Sequence, residues 1–253
     1  MIQGKRVAVV MPAYYAEKTV AKTVAEIDRT IADDVILVDD CSKDRTAEIA
    51  RSLGITVKVN ETNQNYGGNV KRCLQAGLDA GADIVVLLHP DYQYTPRLVP
   101  TMSAILATGF YDLCLASRTS GVGALTGGMP VWRYMANWGL SNAMDFALGT
   151  YHTEYHTGYR AYSRRLLEKV DFHALRNDFI FDNQLLVAAL QARFRTCEVT
   201  CPTVYEEDSS SIPFSKAARY GIQCLKLSAQ HFLWRLKNPG SRRTTISQVD
   251  PPA

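Results

Sequence analysis

The sequence predicts an α/β fold, a single domain with a mostly parallel central sheet flanked by helices. Three observations predict it. Four apolar runs of strand length occupy the first third of the chain, at 6–11, 34–38, 55–59 and 84–88. Segments with helical spacing of apolar residues separate them, the alternation that builds a parallel sheet covered on both faces. Polar or acidic residues follow three of the runs at once, at 12–17, 39–44 and 89–93, and in such sheets ligands bind beyond the carboxyl ends of the strands.

The elements follow in order. Residues 6–11 (RVAVVM) form the first strand, closed by Pro12. Residues 17–31 carry Val20, Val24, Ile27 and Ile31 on one helical face. Residues 34–38 (DVILV) are a second strand ending in Asp39-Asp40, and 44–53 a helix closed by Gly54. A third strand at 55–59, a helix at 67–80 and a fourth strand at 84–88 (IVVLL) continue the alternation. Residues 117–156 differ: Gly121, Gly123, Gly127, Gly128 and Pro130 make a long loop, a feature that is usually functional or mobile. An aromatic-rich helix at 131–148 follows, then helices at 179–192 and 217–237. The tail, 238–253, is polar, contains three prolines and reads as disordered.

A net charge of +3 is too mild to argue for nucleic acid, and it suits a protein that handles phosphates or rests on anionic lipid. The six cysteines contain no CxxC pair, so a zinc knuckle is not expected; several sit in apolar runs, as reduced thiols of a cytoplasmic protein do. No apolar stretch reaches the ~18–20 residues that span a bilayer, and Met1 leads quickly into a strand-like run rather than a signal peptide. A cytoplasmic, soluble or peripheral protein is expected.

Two segments carry chemistry. In Asp39-Asp40-Cys41-Ser42-Lys43-Asp44-Arg45-Thr46 an acidic pair ends a buried strand and a Ser/Asp/Thr group opens the next helix. Ser42 and Asp44 fit helix capping. Capping does not account for Asp40, whose carboxylate can accept from the imide N–H of uracil or the amino group of guanine. In His89-Pro90-Asp91-Tyr92-Gln93 a divalent cation, Mn²⁺ or Mg²⁺, would find oxygen ligands in Asp91 and Gln93 and an imidazole in His89. Positions 89, 91 and 93 point the same way if the segment is extended. The plainer reading is a solvated turn introduced by Pro90.

These segments together resemble the inverting glycosyltransferases of family 2, which have the GT-A fold. Pro12-Ala13-Tyr14 with Glu17 is similar to that family's P-x-x-N-E opening, and Val38-Asp39-Asp40-Cys41-Ser42-Lys43-Asp44-Arg45-Thr46 to its V-D-D-x-S-x-D-x-T. Asn65-Tyr66-Gly67-Gly68-Asn69 with Lys71 is similar to its N-x-G-x-G segment. The resemblance is closest to the dolichyl-phosphate mannose synthases and related polyprenyl-phosphate glycosyltransferases. It extends there to Leu115-Ala116-Ser117-Arg118 (G-S-R), Thr157-Gly158-Tyr159-Arg160-Ala161-Tyr162 (S-G-F-R-x-Y) and Ser215-Lys216. It covers roughly 5–220. One position departs: His89 stands where the first Asp of the family's D-x-D falls, so the segment carries one negative charge fewer. That favours Mn²⁺, which takes imidazole more readily than Mg²⁺, or a metal held by Asp91, Gln93 and the nucleotide alone.

The resemblance implies a domain over 1–237, with a nucleotide part at about 1–116 and an acceptor part at about 117–237. It implies a nucleotide-sugar donor, UDP- or GDP-linked, whose base and ribose are lined by Pro12, Ala13, Tyr14, Glu17, Asp39 and Asp40, with Pro90 and Asp91 near the diphosphate. Lys71 either lies near the nucleotide or is an exposed helix lysine. The implied acceptor is a polyprenyl or dolichyl phosphate; Arg118 and Arg133 are candidate partners for its phosphate, because the guanidinium fork matches phosphate oxygens. Lys216 would close over the departing diphosphate. Asp182 lies where the family's acidic motif falls and is either a catalytic carboxylate or a helix N-cap; Glu154 and Asp178 are weaker candidates for a base. Transfer to a small soluble hydroxyl acceptor, or nucleotide-sugar binding without turnover, stay open. The helix at 217–237 fits an interfacial amphipathic helix, a core helix or a homodimer contact.

Overall fold

The computed structural model describes residues 1–121, 123–202 and 214–238, without the side chains of 123 and 214–216. The tail beyond Asn238 and the segment 206–212 lie outside the described residues. In chain order the elements are β1 (Val7–Ala13), α1 (Val20–Ala25), β2 (Asp34–Asp39), α2 (Thr46–Ser52), β3 (Thr56–Val59), α3 (Asn65–Asp79) and β4 (Ile84–Leu87). There follow α4 (Val99–Ala107), β5 (Leu113–Ser117), α5 (Gly123–Thr126), α6 (Val131–Leu148), β6 (Arg160–Ser163), α7 (Arg164–Lys169), α8 (Phe181–Gln191), β7 (Thr196–Thr200) and α9 (Phe214–Lys237).

The strands form one seven-stranded sheet in the order β3-β2-β1-β4-β6-β5-β7. Strand β1 is buried along its whole length and pairs in parallel with β2 on one side and β4 on the other. The chain winds outward to β3, then returns to lay β4 on the far side of β1, so the strand order reverses at the carboxyl end of β1. A crevice opens at such a reversal. Strand β6 is antiparallel to both β4 and β5, so its start lies beside the end of β4: Arg160 pairs with Leu87. That places residues 154–159 against residues 89–94.

The sheet has a buried layer on each face. One contains Val10, Val38, Leu74, Tyr162, Phe181 and Leu186 under α3, α8 and α9. The other contains Val9, Leu37, Val86, Met102 and Leu106 under α1 and α4. Helix α3 lies close to the sheet because it carries glycine where a side chain would collide: a Cβ on Gly77 would come 2.9 Å from the Val85 methyls.

Two sequence expectations change. The helix at 17–31 shrinks to Val20–Ala25. It closes at Glu26, where the backbone bonds tighten to three-residue spacing (Glu26 N to Thr23 O at 3.3 Å, Ile27 N to Val24 O at 3.2 Å), and Asp28 holds the turn beyond, accepting from Thr30 N at 2.9 Å and Thr30 Oγ1 at 2.6 Å. Strands β5, β6 and β7 and helices α4, α5 and α7 are additional to the expected elements, α5 lying inside the expected long loop; β6 and β7 are too short and too polar, or too mixed, to announce themselves by alternation.

Candidate active site

The loop after β1 is held by the loop after β2. Tyr15 N donates to Ser42 Oγ at 2.9 Å, Ala16 N to Thr46 Oγ1 at 2.8 Å and Glu17 N to Asp44 Oδ2 at 3.3 Å. Glu17 returns the contact, accepting from Arg45 N at 3.0 Å. Asp39 accepts from Ser42 N at 3.0 Å and from Ser42 Oγ at 2.5 Å. Ser42 is therefore not the N-cap of α2. That helix starts at Thr46 behind Arg45; Ser42 Oγ, Thr46 Oγ1 and Asp44 Oδ2 satisfy backbone donors of residues 15–17, while Asp44 Oδ1 accepts from Thr46 N, the first residue of the helix, at 3.1 Å. The clamp leaves the Tyr14 ring 55 % exposed at the mouth of the crevice, while Pro12 and Ala13 are buried in β1.

Asp40 is buried yet held on one side only. Its Oδ1 accepts from Asn60 Nδ2 at 2.7 Å and from Gln64 N at 2.8 Å. Asn60 is fixed in turn by Asn69, whose Oδ1 accepts from the same amide at 3.1 Å and whose Nδ2 donates to Val38 O at 2.9 Å. Both described bonds use Oδ1, which leaves Oδ2 as the oxygen for a ligand donor.

The segment after β4 is a turn, not an extended strand. Tyr92 has φ 59°, and Asp91 Oδ1 accepts from Gln93 N at 3.1 Å. Residues 89, 91 and 93 therefore do not share a face by strand alternation. Tyr92 is drawn to α1, where its hydroxyl donates to Glu26 and Lys22 lies 3.8 Å over its ring. Pro90 O accepts from Thr23 Oγ1 at 3.2 Å. The turn leaves Asp91 and Gln93 half-buried, with the second carboxylate oxygen of Asp91 outside the turn's own bond.

His89 connects this turn to the acidic motif through Tyr66. Tyr66 donates its hydroxyl proton to Asp182 Oδ2 at 2.6 Å, and His89 Nε2 lies 3.3 Å from the same phenol oxygen. Burial first, and the Asp182 charge second, hold the phenol pKa well above its ordinary 10, so the phenol stays a donor. With that proton committed to Asp182, the phenol oxygen is left to accept from His89 Nε2–H, and Nδ1 is the ring nitrogen outside this contact. The rings of Tyr66 and His89 stack at 5.6 Å, and Phe179 stacks on Tyr66 at 5.0 Å. Gly158 permits the contact: a Cβ there would lie 2.5 Å from His89 Nε2. Asp182 is in the first turn of α8 but caps nothing, because the N-cap is Ile180; its Oδ1 is buried without a partner. Arg160 is fully buried beneath, donating to Asp182 O at 2.7 Å, Thr157 O at 2.8 Å and Tyr155 O at 2.8 Å.

The cations fall differently. Arg118 is bound to the fully buried Glu154, with Nε to Oε1 at 2.8 Å and backbone N to Oε2 at 2.7 Å. That pairing leaves Glu154 without a proton-accepting role and sets the Arg118 guanidinium 5.8 Å over the Tyr94 ring. Arg133 is in the first turn of α6, beside the Trp132 ring at 5.6 Å. Lys71 is neither exposed nor turned to the nucleotide loops: its ammonium donates to His173 O at 2.9 Å, to Leu175 O and to Asn177 Oδ1 at 2.7 Å, fastening the strap before α8. Asp178 is paired with Arg176. Lys216 is in the first turn of α9, its side chain outside the described residues.

The chain matches the model of the glycosyl transferase family 2 over residues 8–171. The chain belongs to family 2. Similar proteins include a UDP-N-acetylglucosamine–dolichyl-phosphate N-acetylglucosaminyltransferase of Methanococcus voltae, 26 % identical, covering 81 % of this chain and 88 % of that one. A dolichyl-phosphate hexose transferase of Haloferax volcanii is 29 % identical, with 89 % and 95 % covered. In fold the family 2 chain is similar to glucosyl-3-phosphoglycerate synthase of Mycobacterium tuberculosis, solved with Mn²⁺, UDP-glucose and phosphoglyceric acid, at a TM-score of 0.69 and 21 % identity over 90 % of this chain and 80 % of that one. The fold is GT-A, and the protein is a glycosyltransferase. Among the described residues no three His, Cys, Asp or Glu side chains converge on one point, and no helix is long and apolar enough to cross a membrane.

The donor set available to a cation in this family 2 site is one carboxylate, Asp91, with the Gln93 amide and His89 Nδ1 nearby in sequence. A single hard oxygen ligand suits Mg²⁺ or Mn²⁺ where diphosphate oxygens complete the shell. The residues fit a cation brought with the nucleotide.

Among the groups that organise the site, Tyr66, Asn60 and Arg160 carry no motif role that residue type alone reveals. Tyr66 and Arg160 lie inside quoted motifs, and Asn60 gives no sequence signal beyond its place at the end of β3.

Proposed function

We propose that the protein transfers a sugar, with inversion, from a nucleotide-diphosphate sugar to a polyprenyl phosphate. The acceptor rests on one observation: the likeness over 81–89 % of the chain to two transferases named for dolichyl phosphate. Asp40 Oδ2 and the Tyr14 ring receive the base, and Asp91 meets the diphosphate. A divalent cation bound there would neutralise the departing diphosphate. The acceptor phosphate is ionised near neutral pH and attacks without a general base. Arg133 is its candidate cationic partner, Lys216 remains the candidate for the departing diphosphate, and Arg118, neutralised by Glu154, shapes the wall rather than binding free phosphate.

A second reading is favoured by Asp182. A buried carboxylate oxygen without a partner suits a group that takes a proton from an acceptor hydroxyl. Transfer from UDP- and GDP-sugars, with Mn²⁺ or Mg²⁺, to a short polyprenyl phosphate or to a sugar alcohol separates the two. Label moving into the organic phase supports the lipid phosphate; label on the alcohol only supports the second reading. Asp91→Ala should lower turnover by about 10²-fold or more, as loss of electrostatic stabilisation of a leaving group does. Full activity in that variant would remove Asp91 from the site.

A further inference from the structure

We propose that α6 and α9 together form one face that lies on an anionic lipid surface. The inference extends the lipid-phosphate reading and rests on it only for the purpose of the contact. Helix α6 exposes Val131, Trp132, Met135, Trp138 and Phe146, and not one of its exposed residues is charged. A solvent-facing helix is ordinarily charged on that side. Phe146 is 77 % exposed.

Helix α9 continues the surface. Ile222, Leu225, Leu233 and Leu236 are exposed at spacings that return to one side of the helix. The two faces join where Phe146 stacks on Phe232 at 5.8 Å, above a shallow apolar hollow floored by Ala143, Ala147 and Ala229. Arg235 ties the helices at one end, donating to Ala147 O at 3.1 Å. The apolar surface is continuous and belongs to two long, packed helices.

Its border identifies the occupant. Arg219, Lys226 and Lys237 are exposed, and their spacing places them in one row beside the apolar stripe of α9. Residues 214–237 contain no Asp or Glu. The single acidic residue of α6, Asp145, is occupied by His152 N at 2.9 Å and the Tyr155 hydroxyl. A second copy of the chain would bring this same patch onto itself, as two-fold interfaces do, with a row of cations and no carboxylate on either helix to receive it. An anionic membrane supplies both halves: hydrocarbon for the aromatic and aliphatic residues, phosphate for the row. Tryptophans at such a boundary have an apolar body and a polar tip suited to it.

The arrangement has a consequence for the site. The inner side of α9 carries Tyr220, whose hydroxyl accepts from Asn183 Nδ2 at 2.7 Å and meets His156 Nδ1 at 3.1 Å. Asn183 follows Asp182 in α8. One helix therefore has lipid-facing residues on its outer side and, on its inner side, a tyrosine bonded to the neighbour of Asp182.

The test is co-sedimentation of the full chain with vesicles of phosphatidylcholine alone and with about 30 % phosphatidylglycerol, followed also by tryptophan emission. Binding is expected only to the anionic vesicles, weakened by salt, with a blue shift in emission. Phe146→Glu and Leu225→Glu should each lower partitioning by about tenfold or more, and Lys226→Glu should weaken it without touching the apolar face. Circular dichroism and nucleotide-sugar binding, unchanged in all three, exclude misfolding; should one variant misfold, the remaining two decide. A chain that stays in the supernatant with anionic vesicles overturns the proposal, as does a dimer that Phe146→Glu dissociates while vesicles go unbound. Transfer to a short, water-soluble polyprenyl phosphate without vesicles is measured alongside. If the intact chain binds vesicles but transfers nothing to that acceptor, the functional reading fails and the surface stands.

Discussion

The hydroxyl of Tyr66 stands between two groups that would otherwise have no link, the imidazole of His89 and the carboxylate of Asp182. Its proton goes to Asp182, so its oxygen fixes which nitrogen of His89 carries hydrogen. Tyr66→Phe keeps the stacking with His89 and Phe179 and removes only that oxygen. Asp182 Oδ2 then joins Oδ1 as an unpaired buried acceptor, a cost of about 1–3 kcal/mol in stability. If the link positions His89, the ring's ¹⁵N shifts should move from a fixed Nε2–H tautomer toward a mixture, and turnover should fall about tenfold or more beyond what thermal unfolding accounts for. An unchanged tautomer with unchanged turnover would reduce Tyr66 to packing. Gly158→Ala probes the same spot from the other side: its methyl would have to displace the His89 ring, so activity should fall while the far loops at Asp40 keep their nucleotide affinity.

At the scale of elements, the loop after β1 has its shape from side chains of the loop after β2. Thr46 is central, accepting from Ala16 N while donating to Asp44 Oδ1 at 2.6 Å. Thr46→Val preserves shape and deletes both bonds; it should cost about 1–3 kcal/mol, read as a lower urea midpoint, and weaken nucleotide-sugar binding because Tyr14 and Glu17 lose their mooring. A binding constant unchanged at equal folding would detach the clamp from the site. This clamp also explains what the residue pattern could reveal. The strands β1, β2 and β4 were legible because buried parallel strands are continuous apolar runs, and the acidic and polar residues at their ends were legible because the sheet puts ligands there. Whether Ser42 capped a helix or held a neighbouring loop was not legible, since both roles use the same hydroxyl, and the choice depends on where α2 begins. Lys71 was illegible for a similar reason. A lysine on a helix reads as solvated, and only the tertiary fold brings three acceptors from the strap before α8 to its ammonium. His89, Tyr66 and Asp182 come from three separate segments, and no spacing in the chain announces that they meet.

At the scale of the whole molecule, the seam between the sheet and helices α8 and α9 concentrates buried ionisable groups. Arg160 is wholly enclosed, and Glu154 is closed off with Arg118. His156 lies among them with Nε2 buried and unpartnered. Burial pulls its imidazole down to about 4 from an ordinary 6.5; Glu154 opposes that, and the cations Arg118 and Arg160 add to it. The folded chain therefore favours the neutral imidazole of His156. Between pH 6.5 and about 4 the unfolded chain binds a proton at this residue that the folded chain refuses. The stability it permits is full above pH 6.5 and falls as pH drops through that window, by about 3 kcal/mol at the lower end. Other carboxylates contribute their own acid lability, so the informative quantity is a difference. His156→Gln keeps a polar group near Tyr220 and cannot titrate. Urea unfolding of both chains at steps from pH 7.5 to about 4 should show the intact chain losing ground to the variant by about 3 kcal/mol, most of it below pH 6.5. Parallel curves would mean that His156 takes up its proton in the folded state at an ordinary pH, with Glu154 shared between it and Arg118. In that case the seam would be held by a charged imidazole rather than by the exclusion of one.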